Sequence, residues 1–176
     1  MTPIYLIGFM AAGKTTLGRA LAQRLGREFI DTDREIEAAT GMTVSEIFAN
    51  AGEDTFRSLE KQLIHDIAAG SGSYVVACGG GTPLRRENME TMLASGTVVW
   101  LQTSEAVILR RLALAPGTRP LVDGRSPDEL REYVHATVIA RTPAYSLAHA
   151  VFDSSRLESI EQIRDSVDEF ITRFRL

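Results

Sequence analysis

At 176 residues, with 44% hydrophobic and 24% charged side chains and a formal net charge of −4, the chain has the size and balance of one globular domain able to bury a core. The acidic balance argues against a general nucleic-acid or anionic-membrane binder, which needs a basic face, so any functional arginine has to act locally. One cysteine, Cys78, excludes an internal disulfide framework, and the opening MTPIYLIGFM has neither a basic leader nor an apolar run long enough to span a bilayer; a soluble cytoplasmic protein is expected.

Along the chain, PIYLI (3–7) is a short apolar run ending at Gly8, and Leu17, Ala20, Leu21 and Leu25 then recur at helical spacing, which predicts strand, loop, helix. A second short run, EFI (28–30), leads into IDTDREIE, and Thr43 with Glu46 matches a capping box opening the helical stretch that contains EIFANAGEDTFRSLEKQ. SYVVAC (73–78) predicts a third strand broken off by Gly79, Gly80 and Gly81, and TVVWL (97–101) a fourth, with Trp100 in the core. The stretch LAPGTRPLVDGRSP (114–127) concentrates glycine, proline and two arginines and reads as a mobile lid of about 113–126. Ser126, Pro127 and Glu129 start the next helix, HAVF (149–152) is a fifth strand, and Ile160, Ile163, Val167, Phe170, Ile171 and Phe174 give the last helix one apolar face. Strands alternating with helices imply an α/β fold in three layers, a parallel sheet covered on both faces.

The first loop, IGFMAAGKTTLG, fits Gly, four residues, Gly-Lys-Thr through Gly8, Gly13, Lys14 and Thr15. Such a loop turns backbone N–H groups onto phosphate oxygens at the positive end of a helix, with the lysine reaching the outer phosphates and the Thr15 hydroxyl ligating magnesium. A nucleoside triphosphate with Mg2+ is therefore the expected ligand. The chain lacks the Asn-Lys-x-Asp motif of guanine readers, and neither YVVAC nor VVWL ends in a carboxylate, so the acid that serves the metal comes from elsewhere. Asp31 and Asp33, after the second strand, share the carboxyl edge of the sheet with the loop. Two apart on an extended segment, they are assigned to the metal (Asp31, through water) and to an acceptor hydroxyl (Asp33), although aspartates also suit the start of a helix. Arg57 and Glu60, three apart on a helix near Phe48 and Phe56, can pair and aim a guanidinium into a pocket. Three successive glycines make sense where a ligand meets the backbone.

With GFMAAGKTT, DTD, FRSLE, CGGG, TRPL and RTPAY in one chain, the sequence resembles the shikimate kinases over nearly its whole length. The resemblance implies the nucleoside monophosphate kinase fold, with a five-stranded parallel sheet, and ATP-dependent phosphorylation of the 3-hydroxyl of shikimate. It implies that Asp33 binds the acceptor's hydroxyls, that Arg57 and Arg141 hold its carboxylate beside Gly79, Gly80 and Gly81, and that Arg119 closes with the lid onto the phosphates. On the nucleotide side it implies Gly8, Ala11, Ala12, Gly13, Lys14, Thr15 and Thr16, with Arg111 or its neighbour Arg110 and the loop 153–156, including Arg156, near adenine. Lys14, Asp33 and Arg119 are then the catalytic groups, ATP and Mg2+ the cofactors, and the protein a monomer without nucleic-acid or membrane partners. Two other readings remain: a kinase for gluconate, another small metabolite or a nucleoside monophosphate, and a nucleotide-binding module without catalysis. His65, His135 and His149 lack metal-ligand spacing.

Overall fold

The structure, a computed structural model, describes residues 2–114, 122 and 124–176. Five strands, β1 (Ile4–Ile7), β2 (Glu28–Asp31), β3 (Tyr74–Ala77), β4 (Thr97–Gln102) and β5 (Ala150–Asp153), form one parallel sheet in the order β2-β3-β1-β4-β5. The chain winds to one side of β1 through β2 and β3 and to the other through β4 and β5. The switch point therefore lies at the carboxyl end of β1, where an open α/β sheet leaves a crevice.

Among the helices are α1 (Lys14–Leu25), α2 (Thr32–Thr40), α3 (Val44–Ala69), α4 (Arg86–Ser95), α5 (Glu105–Ala113), α6 (Pro127–Tyr145) and α7 (Ile160–Phe174), with a 3-10 turn at Thr82–Leu84. Both expected capping boxes are formed, Thr43 with Glu46 and Ser126 with Glu129. Alternation along β1 sends Ile4 and Leu6 to one face, where they join Leu17 and Leu21 of α1 and Val167 and Phe170 of α7. Tyr5 and Ile7 face the opposite layer, with Ile64 and Ile67 of α3, Met89 and Met92 of α4, and Trp100 and Tyr145. With both faces covered, Ile4–Ile7, Val75–Ala77 and Val98–Leu101 are continuous buried apolar runs rather than alternating ones.

Three expectations are corrected. Ile160 is 89% exposed, because it is the first residue of α7 and precedes the turn that reaches the sheet; the buried stripe is centred on Val167 and Phe170. Asp31 and Asp33 do not share an extended segment: β2 ends at Asp31, and Asp33 is in the first turn of α2. Within α3, Gly52 takes φ 82° and ψ 165° and breaks the helix, so Glu53 opens a fresh helical run that carries Arg57 and Glu60. No helix among the described residues is long and apolar enough to cross a membrane.

Candidate functional site

The phosphate loop leaves the switch point directly after β1. Gly13, at φ 95°, forms the left-handed step into α1, a backbone conformation that favours glycine, and a Cβ there would also displace the Leu157 methyl, 2.3 Å away. The Lys14 ammonium donates to the carbonyls of Gly8 and Phe9, each at 2.9 Å. The Thr15 hydroxyl donates to Asp31 Oδ2 at 2.9 Å, which puts the two groups assigned to the metal side by side. A cavity of about 440 Å³ runs from this loop to the glycine turn, lined among others by Gly13, Lys14, Thr15, Thr16, Asp31, Asp33, Gly79, Gly80 and Arg111. Ala11 lines it as well, with φ 60°, while Ala12 is buried beneath the loop.

The glycine turn is the meeting point of three side chains. Where Gly79 stands, a Cβ would lie 2.7 Å from Asp33 Oδ1; at Gly80, 3.1 Å from Arg141 Nη1; at Gly81, 2.9 Å from both Nη1 and Nη2 of Arg57. The turn carries no side chains because three elements send theirs against it. It is fixed in place by the Gly79 N–H, which donates to the buried Thr32 hydroxyl at 2.9 Å, and by Tyr145 and Arg141, which donate to the Gly80 carbonyl at 2.7 and 3.1 Å.

Arg57 is clamped. Its Nη1 donates to Glu60 at 3.0 Å, and its Nε and Nη2 donate to Glu53 Oε1 at 3.1 and 3.0 Å. Glu60 is fully buried and also accepts from the Thr82 hydroxyl. The guanidinium lies 5.3 Å from the Phe56 ring centroid and 6.0 Å from that of Phe48. Burial lowers the Arg57 pKa, and the Glu60 and Glu53 carboxylates more than reverse this, raising it overall. Each terminal nitrogen makes one of these bonds, so each keeps a second N–H with which to donate to an acid group.

Asp33 has an unusual carboxyl. Burial and then the Asp31 carboxylate push its pKa up from 3.8 to about 6, with Glu60 and Glu37 adding to the rise and Lys14 opposing it. A carboxylate there is a better proton acceptor at neutral pH than an ordinary aspartate.

Arg111, not Arg110, faces the loop. It donates to the carbonyls of Ala11 at 3.0 Å, Ser154 at 2.9 Å and Ser155 at 3.2 Å, whereas Arg110 is paired with Glu158 on the surface. Arg156 is exposed and apart from the cavity lining, where its neighbours Leu157 and Glu158 stand instead. Arg119 and most of the expected lid lie outside the described residues; of that segment, Val122 is buried against Phe9, Ile108, Leu112 and Val134, and Arg125 stacks 4.5 Å from the Tyr133 ring centroid. Cys78 is buried with its thiol against Met92, and burial pushes its pKa up, away from thiolate chemistry. Among the histidines, His149 Nδ1 accepts the Val98 N–H and His135 meets Glu105.

Sequence reasoning missed Glu53, Thr32, Thr82 and Tyr145. Glu53 stands four residues before Arg57 and is legible from spacing alone; the other three act across the fold, and although Thr32 and Tyr145 lie in the DTD and RTPAY stretches, spacing does not tell their partners.

A sequence model of the shikimate kinase family matches residues 10–172. A shikimate kinase of Phocaeicola vulgatus is 44% identical over 168 residues, 96% of this chain and 95% of its own. The crystal structure of shikimate kinase from Bacteroides thetaiotaomicron superposes with a TM-score of 0.94 at 37% identity over 99% of both chains. That of the Acinetobacter baumannii shikimate kinase, in complex with shikimate, gives 0.84 at 33% identity over 99% of this chain and 93% of that one. With the family model covering residues 10–172 and a relative 44% identical over 96% of the chain, this chain belongs to the shikimate kinase family.

Proposed function

We propose that the protein transfers the γ-phosphoryl group of ATP to the 3-hydroxyl of shikimate, giving shikimate 3-phosphate and ADP, a step towards chorismate and the aromatic amino acids. One observation carries this reading: Asp33, Arg141 and Arg57 converge on the consecutive glycines 79, 80 and 81 beside the phosphate loop. An acceptor bearing both a carboxylate and hydroxyls satisfies all three, and a neutral sugar would leave the arginines unanswered. A relative from Acinetobacter baumannii has been crystallised with shikimate, which supports the same choice over gluconate or a nucleotide.

In this reading Arg57 and Arg141 grip the carboxylate and so fix the ring. Asp33 holds the 3-hydroxyl in line and takes its proton as the new P–O bond forms and the bond to ADP breaks. Phosphoryl transfer has a loose transition state, so alignment and charge balance are most of the catalysis. Lys14 and Arg119 supply positive charge around the moving phosphoryl group. The neighbouring Thr15 hydroxyl and Asp31 carboxylate, 2.9 Å apart, fit Mg2+ held largely by phosphates and water. When bound, the ion neutralises phosphate charge. Arg111 and the loop around Leu157 flank the nucleotide. The protein acts as a cytoplasmic monomer without nucleic-acid or membrane partners.

ADP release measured with ATP and Mg2+, with shikimate, gluconate or AMP as acceptor, tests the reading. Release dependent on shikimate alone is the expected result. Turnover with another acceptor and not with shikimate would overturn the assignment of Arg57 and Arg141, and ATP binding with no turnover on any acceptor would overturn the catalytic reading.

A further inference from the structure

Phe9 belongs to the phosphate loop, yet its side chain turns away from the phosphates. Its carbonyl accepts from Lys14 Nζ at 2.9 Å and from the Ala12 N–H at 3.2 Å, so its backbone is held by the loop itself. The ring is 3% exposed and packs with Ile108, Leu112, Val122 and Val134. The same ring presents its face to Arg141, whose guanidinium carbon lies 5.7 Å from the centroid. On another side Arg141 is tied to the Gly80 carbonyl. The arginine is thus located between the glycine turn and an aromatic plate that the nucleotide loop carries.

We propose that Phe9 is a positioning residue for acceptor binding, acting through Arg141. The proposal rests on Arg141 holding the acceptor's acid group. A guanidinium has two reasons to sit over a ring: the face is negative, and a ring takes up none of its N–H groups, leaving them available for hydrogen bonds. An aliphatic side chain of similar bulk fills the same space and offers no negative face. Arg141, on a long helix with four rotatable side-chain bonds, would then sample other rotamers, and ordering it again would weaken acceptor binding. Nothing in the sequence singles Phe9 out, because it and the three residues that follow it read as spacers between Gly8 and Gly13.

The test compares Phe9→Leu, Phe9→Tyr, Ile108→Val and Arg141→Ala, each scored by KM for shikimate, KM for ATP, kcat and Tm. For Phe9→Leu we expect KM for shikimate to rise about fivefold, the size of a half-buried cation–π contact, with KM for ATP within twofold of the parent. Phe9→Tyr keeps a ring and should restore the parent value. Ile108→Val loosens the same cluster without touching the plate and should leave KM for shikimate unchanged. An equal rise in Ile108→Val, or failure of Phe9→Tyr to restore KM where Phe9→Leu has raised it, would show that packing alone is responsible and overturn the proposal. So would an unchanged KM in Phe9→Leu beside an impaired Arg141→Ala, which leaves the reading of Arg141 standing. An unchanged KM in Arg141→Ala would remove that reading and the proposal with it.

Discussion

Replacing Asp33 by asparagine should abolish transfer and at the same time make the protein more stable at neutral pH. Folding raises this carboxyl from 3.8 to about 6, so the folded state binds its proton more tightly than the unfolded chain does. The sign follows from linkage: the stabilisation due to the bound proton is fully present below pH 3.8 and is lost as pH rises through about 6. At pH 7.5 the ionised carboxylate, close to Asp31 and Glu60 in a poorly hydrated site, is a net strain on the fold. At about 1.36 kcal/mol per pKa unit the full difference is about 3 kcal/mol, and partial access of water reduces it to roughly 1–3 kcal/mol. Asparagine keeps the shape and removes the charge. For a chain of this length that amounts to a rise in Tm of roughly 2–10 °C. The assay is urea and thermal unfolding of the parent and Asp33→Asn between pH 4 and 8, with the gap between them expected to shrink towards zero at the acid end. A variant that is less stable at pH 7.5, or a gap of constant size across the range, would refute the argument. The trade is one expected of active sites, where function keeps a group that the fold alone would discard.

Three other expectations follow from the same geometry. The logarithm of kcat/KM should fall with unit slope below about pH 6 as Asp33 takes up a proton, and a profile flat to pH 5 would remove Asp33 as the proton acceptor. Gly81→Ala adds a methyl 2.9 Å from both terminal nitrogens of Arg57 at a backbone angle alanine tolerates; KM for shikimate should rise by roughly 10-fold or more while KM for ATP and Tm barely change. Lys14→Met should lower kcat for shikimate-dependent ADP release by about 100-fold or more without loss of fold, and near-normal turnover would contradict the account of the phosphate loop.

Much of this site was legible because its determinants are local. The capping boxes at Thr43 and Ser126 depend on residues three apart, and the glycine-lysine loop depends on a handful of consecutive positions, so spacing alone predicts them. Strand existence was equally plain, since buried parallel strands read as short apolar runs between breakers. Spacing failed where the third dimension decides. Nothing near Glu60 in sequence announces that it is fully buried and shared between Arg57 and Thr82. Ile160 has the period of the apolar face but not its depth, because a helix begins before it touches the core. Two-residue spacing after a strand suggests an extended segment for Asp33; the chain instead turns helical at Thr32, whose hydroxyl accepts from the Gly79 N–H. The break at Gly52 is not legible in the sequence, since a single glycine inside a helical pattern is usually tolerated at a cost of about 1 kcal/mol.

The borders of the sheet bear on how the protein behaves when concentrated. Its two outermost strands, β2 and β5, are only four residues long, and each ends in an aspartate, Asp31 and Asp153. Two copies aligning β2 edge to edge in antiparallel fashion would set Glu28 of one opposite Asp31 of the other, and would do so twice. Such like-charge facing pairs disfavour strand addition, and so little main chain offers a poor template for it. A four-residue border strand ending in an acid is thus a poor place for a second copy to add a strand, whatever else the Asp31 carboxylate does beside Thr15 in the cavity.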